Sequence, residues 1–288
     1  MITAVRDEAE NLPRLAASLA AQETLPRTWI VVDNGSEDGT LELARGLAEQ
    51  HEWIRVLSIP GSSAAERGAP IVRALHAAIA ELSSDPPEVA VNVDADISME
   101  PDYFRRLLAN FDEDAALGIA SGSAFELQDG AWRQRHVTGS TVWGASRAYR
   151  WACLQAILPF EERVAWDGID EFKANARGWR TFAFEALPFR HHRREGERDG
   201  SIWRARQNQG HAAYYVGYRP WYLVLRSLWN ARREAAALGM IWGYAAAAVN
   251  REPRSTDRDA RAYLRRQQSV RRLRLRSLEA AGRRDRAV

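Results

Sequence analysis

The sequence predicts an α/β fold: a doubly wound, mostly parallel sheet with helices on both faces over residues 1–205, then a helical, basic extension over residues 206–288. Three observations lead there. Over the first 96 residues, short apolar runs alternate with stretches of helical periodicity as β-α-β-α-β-α-β, which is how parallel strands are joined. The run Val89-Ala90-Val91-Asn92-Val93 is apolar almost without a break, as a strand buried on both faces is, and it ends in Asp94-Ala95-Asp96. Beyond about residue 200 the strand pattern stops, and a helical stretch rich in Trp and Tyr takes over.

Ile2-Thr3-Ala4-Val5 reads as the first strand. It is shorter than the usual strand of about five or six residues, which fits an edge strand or a chain whose start lies upstream. Arg6-Asp7-Glu8 is a polar loop. Leu12, Leu15, Ala16 and Leu19 then recur at helical spacing, with Pro13 tolerated in the first turn. Trp29-Ile30-Val31-Val32 is the second strand and runs into Asp33-Asn34-Gly35-Ser36-Glu37-Asp38-Gly39-Thr40. Asn-Gly and Asp-Gly form turns, and Ser36 can cap a helix carrying Leu43, Leu47 and Ala48. Residues 54–59 are the third strand; Ile71, Leu75, Ala78, Ile79 and Leu82 mark the third helix, broken by Ser83-Ser84-Asp85-Pro86-Pro87.

After Asp96 the rhythm loosens. Residues 101–111 read as a helix, 117–125 as a strand, and Asp129-Gly130 as a turn. Residues 141–158 read as a return to the sheet edge followed by a helix, and 167–176 as a helix stopped by Gly178. The last strand covers 181–189 and gives way to a polar loop with His191 and His192. Residues 203–249 are helical, and 256–284 form a basic helical tail.

With 46% hydrophobic and 27% charged residues, the composition is that of a globular protein. Its length suits one large domain with a smaller attachment. Cys153 is the only cysteine, so neither an internal disulfide nor a Cys-based metal site fits. The chain opens on Met1-Ile2-Thr3-Ala4-Val5 and turns acidic at once, without the look of a signal peptide. It contains no apolar run of about 18 residues or more. These features read as a cytoplasmic protein. Its formal charge of +2 hides an asymmetry: residues 251–286 hold 13 Arg against five acidic residues, a net +8, which leaves −6 for the rest. Such a tail can face anionic lipid headgroups at the inner face of a membrane or stand as a solvated helix. No nucleic-acid motif accompanies the charge, so nucleic acid is not expected as a partner.

In extended backbone, residues i and i+2 point the same way, so Asp94 and Asp96 can face one point at the carboxyl end of their strand, where open α/β sheets gather ligands. Carboxylate oxygens suit Mg²⁺ or Mn²⁺, ions that bind through one or two carboxylates plus the phosphates of a substrate. The pattern therefore reads as a metal–diphosphate site, against the plainer alternative of a solvated acidic turn.

Three segments together carry a resemblance. Val31-Val32-Asp33-Asn34-Gly35-Ser36-Glu37-Asp38-Gly39-Thr40 resembles the "VDDGSTDGT" signature of the family-2 glycosyltransferases. Ala4-Val5-Arg6-Asp7-Glu8-Ala9-Glu10-Asn11-Leu12 resembles that family's opening "PVRNEEENL", with Ala4 for the usual Pro and Asp7 for the usual Asn. Asp94-Ala95-Asp96 is similar to its Asp-X-Asp. They stand in the family's order and spacing. The resemblance implies the A-type, Rossmann-like nucleotide-diphospho-sugar transferase fold and a nucleotide-diphospho-sugar donor. Val5, Arg6, Asp7, Asp33 and Arg67 would contact that donor, Arg67 lying in Ala65-Glu66-Arg67-Gly68-Ala69. Asp96 and Asp94 would hold Mg²⁺ or Mn²⁺, with Asp94 also near the ribose, and a late histidine, His191 or His192, would be a further ligand. Two adjacent histidines on extended backbone cannot both face one site.

The family's base follows from its "ED" motif, about 11 residues before a Gly-aromatic pair. Here Gly178-Trp179 places it at Asp167, with Trp166 where the Glu would stand. Asp170 lies one helical turn on and shares its face. Either would take the proton of an acceptor hydroxyl in an inverting transfer. Gly144-Ala145-Ser146-Arg147 is similar to the Gly-rich edge near the sugar or acceptor in that family. The acceptor implied is a saccharide or lipid-linked glycan of the cell envelope. Two other functions compete. A sugar-phosphate nucleotidyltransferase would want a Gly-rich basic loop after the first strand, where Arg6-Asp7-Glu8-Ala9-Glu10 is acidic. A degenerate, non-catalytic scaffold would fit the altered "ED" motif and the short first strand.

Overall fold

The computed structural model describes residues 1–61, 68–135, 142–193, 201–232 and 234–273. The chain divides into two compact units, Met1–Glu195 and Gly196–Val288.

The first unit runs β1 (Ile2–Val5), α1 (Leu12–Ala20), β2 (Trp29–Asp33), α2 (Thr40–Gln50), β3 (Ile54–Ser58), α3 (Ala69–Leu82), β4 (Val89–Val93), β5 (Ile97–Met99), α4 (Tyr103–Glu113), β6 (Leu117–Gln128), β7 (Ala131–Gln134), β8 (Ser146–Arg150), α5 (Trp151–Ile157), α6 (Trp166–Ala176) and β9 (Arg180–His191). The strands lie in the order β3-β2-β1-β4-β8-β6-β9-β5, with β7 hairpinned on β6. The half built from β3, β2, β1 and β4 is parallel, while β8 runs antiparallel to both β4 and β6.

Two expectations are corrected. β1 lies between β2 and β4 rather than at an edge, and β8 fills the middle of the sheet. Periodicity fixes where a strand is, not which neighbours it takes.

The fully buried β2 explains the layers. Trp29 and Val31 face the core beneath α1, α2 and α4, whereas Ile30 and Val32 face the one beneath α3, α5 and α6. Leu12, Leu15 and Leu19, the helical-period positions of α1, are all fully buried. Each such side chain stabilises the fold by about 1.5–3 kcal/mol.

The strands β6 and β9 run parallel over 12 residues each, and their register shifts between Leu117 and Ile119 and between Ser121 and Ser123. Such bulges bend and twist a strand pair. The far end of β9 pairs antiparallel with β5, His191 standing opposite Ile97. The Asp94–Asp96 turn, which links β4 to β5, is thereby delivered to the end of β9.

The second unit holds α7 (Ile202–Tyr215), α8 (Pro220–Ala231), a 3₁₀ turn over Ala235–Leu238, α9 (Gly239–Val249) and α10 (Arg258–Gln267). Ser201 and Asp257 cap α7 and α10 by accepting from the amides of Arg204 and Ala260. Where α7 crosses α9 the backbones nearly touch: a Cβ on Gly210 would stand 2.2 Å from the Met240 carbonyl oxygen, and one on Gly243 2.1 Å from that of Gln207. Ala213, Leu223 and Met240 form the small core there.

Candidate active site

The first two motifs are stitched to one another. The Asp7 amide donates to Ser36 Oγ at 3.0 Å, and Asp7 Oδ1 accepts from the Glu37 amide at 2.8 Å. The Glu8 amide donates to Thr40 Oγ1 at 2.8 Å and the Ala9 amide to Asp38 Oδ2 at 3.0 Å. Val5 pairs with Asp33, and its carbonyl accepts from the Asn34 amide at 3.0 Å. The carboxyl ends of β1 and β2 thus form one hydrogen-bonded rim. Asp33 is buried and accepts from the Gly35 and Ser36 amides at 3.1 and 3.3 Å, so it builds its own turn. Gly35 sits at φ +73°, where a Cβ would meet Gly61 Cα at 2.6 Å, so only glycine fits. Arg6 is half-exposed beside Asp7, at 3.9 Å. Arg67 lies outside the described residues.

Asp94, Asp96 and His191 form a tight group, one ligand atom from each lying within 4.8 Å of the others. His191 Nε2 is 3.3 Å from Asp96 Oδ1, and Nδ1 of the same ring is 3.9 Å from Glu126. Burial, and then the charge of Asp96, push the Asp94 carboxyl up to about 7. Burial would also raise Asp96, but the hydrogen bond and charge of His191, with Arg193, hold it below the ordinary carboxyl range. Asp96 in turn raises His191 against the effect of burial. Two carboxylates and an imidazole converging on one point are a donor set suited to a hard or borderline divalent ion. The cost of crowding the acids together, visible in Asp94, is what a cation would relieve.

His192 corrects its expectation. Its ring packs edge-on against Trp132 at 5.3 Å and its Nε2 hydrogen-bonds Ser98 Oγ at 2.8 Å, on the side away from the group. Alternate residues of a strand face opposite ways. The same rule returns Arg193 to the side of His191, where it pairs with both oxygens of the buried Glu8, at 3.0 and 2.7 Å, and lies 3.7 Å from Asp96. Arg193 and Glu8 were not singled out from the sequence, although the i, i+2 relation to His191 marks Arg193.

The helix start at α6 separates its two acids. Asp170 is 1% exposed and fully engaged: Arg147 Nε donates at 3.1 Å and its Nη2 at 2.7 Å, and the Tyr149 hydroxyl donates to the same carboxylate. Glu171 accepts from Arg147 Nη2 and from the Val142 amide, both at 3.0 Å. Burial pushes Asp170 to about 6 and Glu171 to about 7, with Arg147 opposing. The expectation that Asp170 could serve as the base is therefore corrected: no acceptor can reach a carboxylate closed in by Arg147 and Tyr149.

Asp167 is different. It is half-buried, among the described residues Oδ1 accepts from the Gly168 amide alone at 3.1 Å, and Oδ2 faces Gly144, whose absent side chain leaves it room. Gly144 and Ala145 run directly beside the metal-type group, since the Asp94 amide donates to the Ala145 carbonyl at 2.9 Å. The charge of Asp167 adds to the upward push on Asp94. Trp166, in place of the motif's Glu, is a core side chain packed on Phe160 at 5.2 Å.

The profile described as "Glycosyl transferase family 2" matches residues 1–167, more than half of the chain. A search of curated proteins returns no match. Among solved structures, the mannosyltransferase PcManGT from Pyrobaculum calidifontis, in complex with GDP-Man and Mn²⁺, is similar at 17% identity and a TM-score of 0.58, covering 97% of this chain and 83% of that one. S. aureus TarS in complex with UDP-GlcNAc is similar at 20% identity and a TM-score of 0.55, over 73% of this chain and 63% of that one. At such identities the likeness is one of fold, which is that of the A-type glycosyltransferases. The profile goes further: this chain belongs to glycosyl transferase family 2 and is a glycosyltransferase.

Proposed function

We propose that this glycosyltransferase moves a sugar from a nucleotide-diphospho-sugar to a hydroxyl of a saccharide or lipid-linked glycan, with a divalent cation and inversion at the anomeric carbon. The observation that carries the reading is the convergence of Asp94, Asp96 and His191 within 4.8 Å, on the same strand-end rim as Asp33. The GDP-Man and UDP-GlcNAc of the two similar structures support the donor class, and the Mn²⁺ of the first supports the ion.

Asp94, Asp96 and His191 would hold Mg²⁺ or Mn²⁺. When bound, that ion supplies positive charge to the leaving diphosphate. Arg193, already turned toward Asp96, adds a second cation at the same place. Val5, Arg6, Asp7 and Arg67 would line the nucleotide; Asp33, buried and bonded to the Gly35 and Ser36 amides, would shape the turn that receives the base and accept from a base N–H only if that turn opens to it. Asp167 would take the proton of the acceptor hydroxyl as its oxygen attacks the anomeric carbon and the bond to diphosphate breaks. Its Oδ2, beside Gly144 and without a hydrogen bond among the described residues, is the atom suited to it. A cell-envelope glycan as acceptor follows from the resemblance.

A thermal-shift panel of UDP-, GDP- and dTDP-sugars with and without Mn²⁺ tests this directly. One donor class should raise the midpoint only with the ion, and Asp96→Ala should abolish the response. Silence toward every donor, or a response that survives Asp96→Ala, would refute the reading.

A further inference from the structure

The second unit keeps its largest apolar side chains out of its own core. On α8, Trp221, Val224, Leu225, Leu228 and Trp229 recur at i, i+3, i+4, i+7 and i+8, and all are exposed, Leu225 at 56%, Leu228 at 51% and Trp229 at 66%. The residues that α8 does bury, Leu223 and Ser227, lie one turn apart on another face. Helix α9, which packs against α8, contains no charged residue and exposes Trp242 at 65% together with Val249. The guanidinium of Arg232 sits 4.4 Å above the Trp229 ring. The segment that carries this apolar face is strongly cationic in sequence: residues 201–288 hold 19 Arg against six acidic residues, a net +13, leaving −11 for residues 1–200.

We propose that the exposed face of α8, with Trp242 of α9, docks the second unit on an anionic lipid bilayer. The stripe at helical spacing is the form of a helix lying in the plane of the interface, its aliphatic residues in the acyl boundary. Indole rings favour the headgroup level, and arginines answer anionic headgroups. Among the described residues no helix is long and apolar enough to cross a membrane, so α8 lies on the surface rather than through it. Charge selects this occupant over two others. Two copies meeting at this face would bring net +13 against net +13. A nucleic acid would satisfy the arginines but leave Val224, Leu225 and Leu228 with nothing apolar to cover them. The contact lies on a helix face rather than on the basic tail, and it is independent of which sugar is transferred.

Vesicle co-sedimentation of the full chain tests it. Phosphatidylcholine vesicles carrying about a third phosphatidylglycerol should retain the protein, and phosphatidylcholine alone should retain little. Leu225→Glu combined with Trp229→Glu changes only exposed positions, and its partitioning should fall by about tenfold or more at an unchanged circular-dichroism spectrum. Brominated lipids should quench the bound wild-type protein, and Trp229→Phe with Trp242→Phe should lose most of that quenching. Several results would overturn the proposal: no retention of the wild type, equal retention of the glutamate variant, or quenching indifferent to both tryptophans. So would a wild-type dimer that the glutamate variant turns into a monomer without vesicle binding, or retention on RNA but not on vesicles.

Discussion

Two acidic clusters stand at neighbouring strand and helix ends, and they are built to opposite purposes. Asp170 and Glu171 face the fully buried guanidinium of Arg147, with Tyr149 as a further donor to Asp170. Among the described residues, Asp94 and Asp96 are offset by His191 and by Arg193 at 3.7 Å, and burial with the charge of Asp96 pushes Asp94 up to about 7. The first cluster is closed by hydrogen bonds from Arg147, Tyr149 and the Val142 amide; the second turns its ligand atoms toward one point. A carboxylate's role is read from what its oxygens already bond, not from its spacing in the chain.

The largest effect that sharpens this contrast should come from Asp167→Asn. Loss of a general base costs about 10²–10⁴ in kcat, while the metal-dependent thermal shift with donor should persist. A variant retaining normal turnover would return the base to another residue. Next, Arg147→Met should destabilise the chain by about 3–5 kcal/mol, because it strands two buried carboxylates; denaturant melts give the value, and a loss under about 1 kcal/mol would mean that the cluster is not the structural one.

The pH dependence should separate the clusters as well. With Asp94 near 7 and His191 raised, both carry protons as the pH falls below 7, and a cation must displace them. Apparent Mn²⁺ affinity should therefore weaken on acidification, by up to about tenfold per pH unit for each proton released. Titrations flat between pH 6 and 8 would contradict this. His191→Ala should reduce Mn²⁺ affinity by about tenfold or more. His192→Ala should leave it within about twofold, since its ring is committed to Ser98 and Trp132; the opposite ranking would reverse the assignment of the two histidines.

The framework of the candidate site is legible in the sequence. The strand that ends at Asp94 announces itself by composition, and Asp33-Asn34-Gly35 by turn chemistry, because both are local signals. The choice between His191 and His192 needed the register of β9 against β5, which a sequence does not print. Asp170 looked equivalent to Asp167 because helical spacing sets a shared face but not what packs against it; Arg147 reaches it from β8, a strand whose interior position followed from antiparallel pairing with β4. The second unit shows the same limit. The Trp- and Tyr-rich stretch carries no local signal of which rings face outward: Trp229 and Trp242 are exposed, whereas Gly210 and Gly243 let the backbones of α7 and α9 meet.

The pairing of Val93 with Ser146 has a consequence for how such an enzyme could diversify. It joins the Asp94–Asp96 turn and the Gly144 segment beside Asp167 through one ladder of backbone bonds, so the span between them is as stiff as the sheet itself. Evolution toward a bulkier or smaller sugar would have to carve the walls around that fixed gap, because lengthening a loop would leave the gap unchanged.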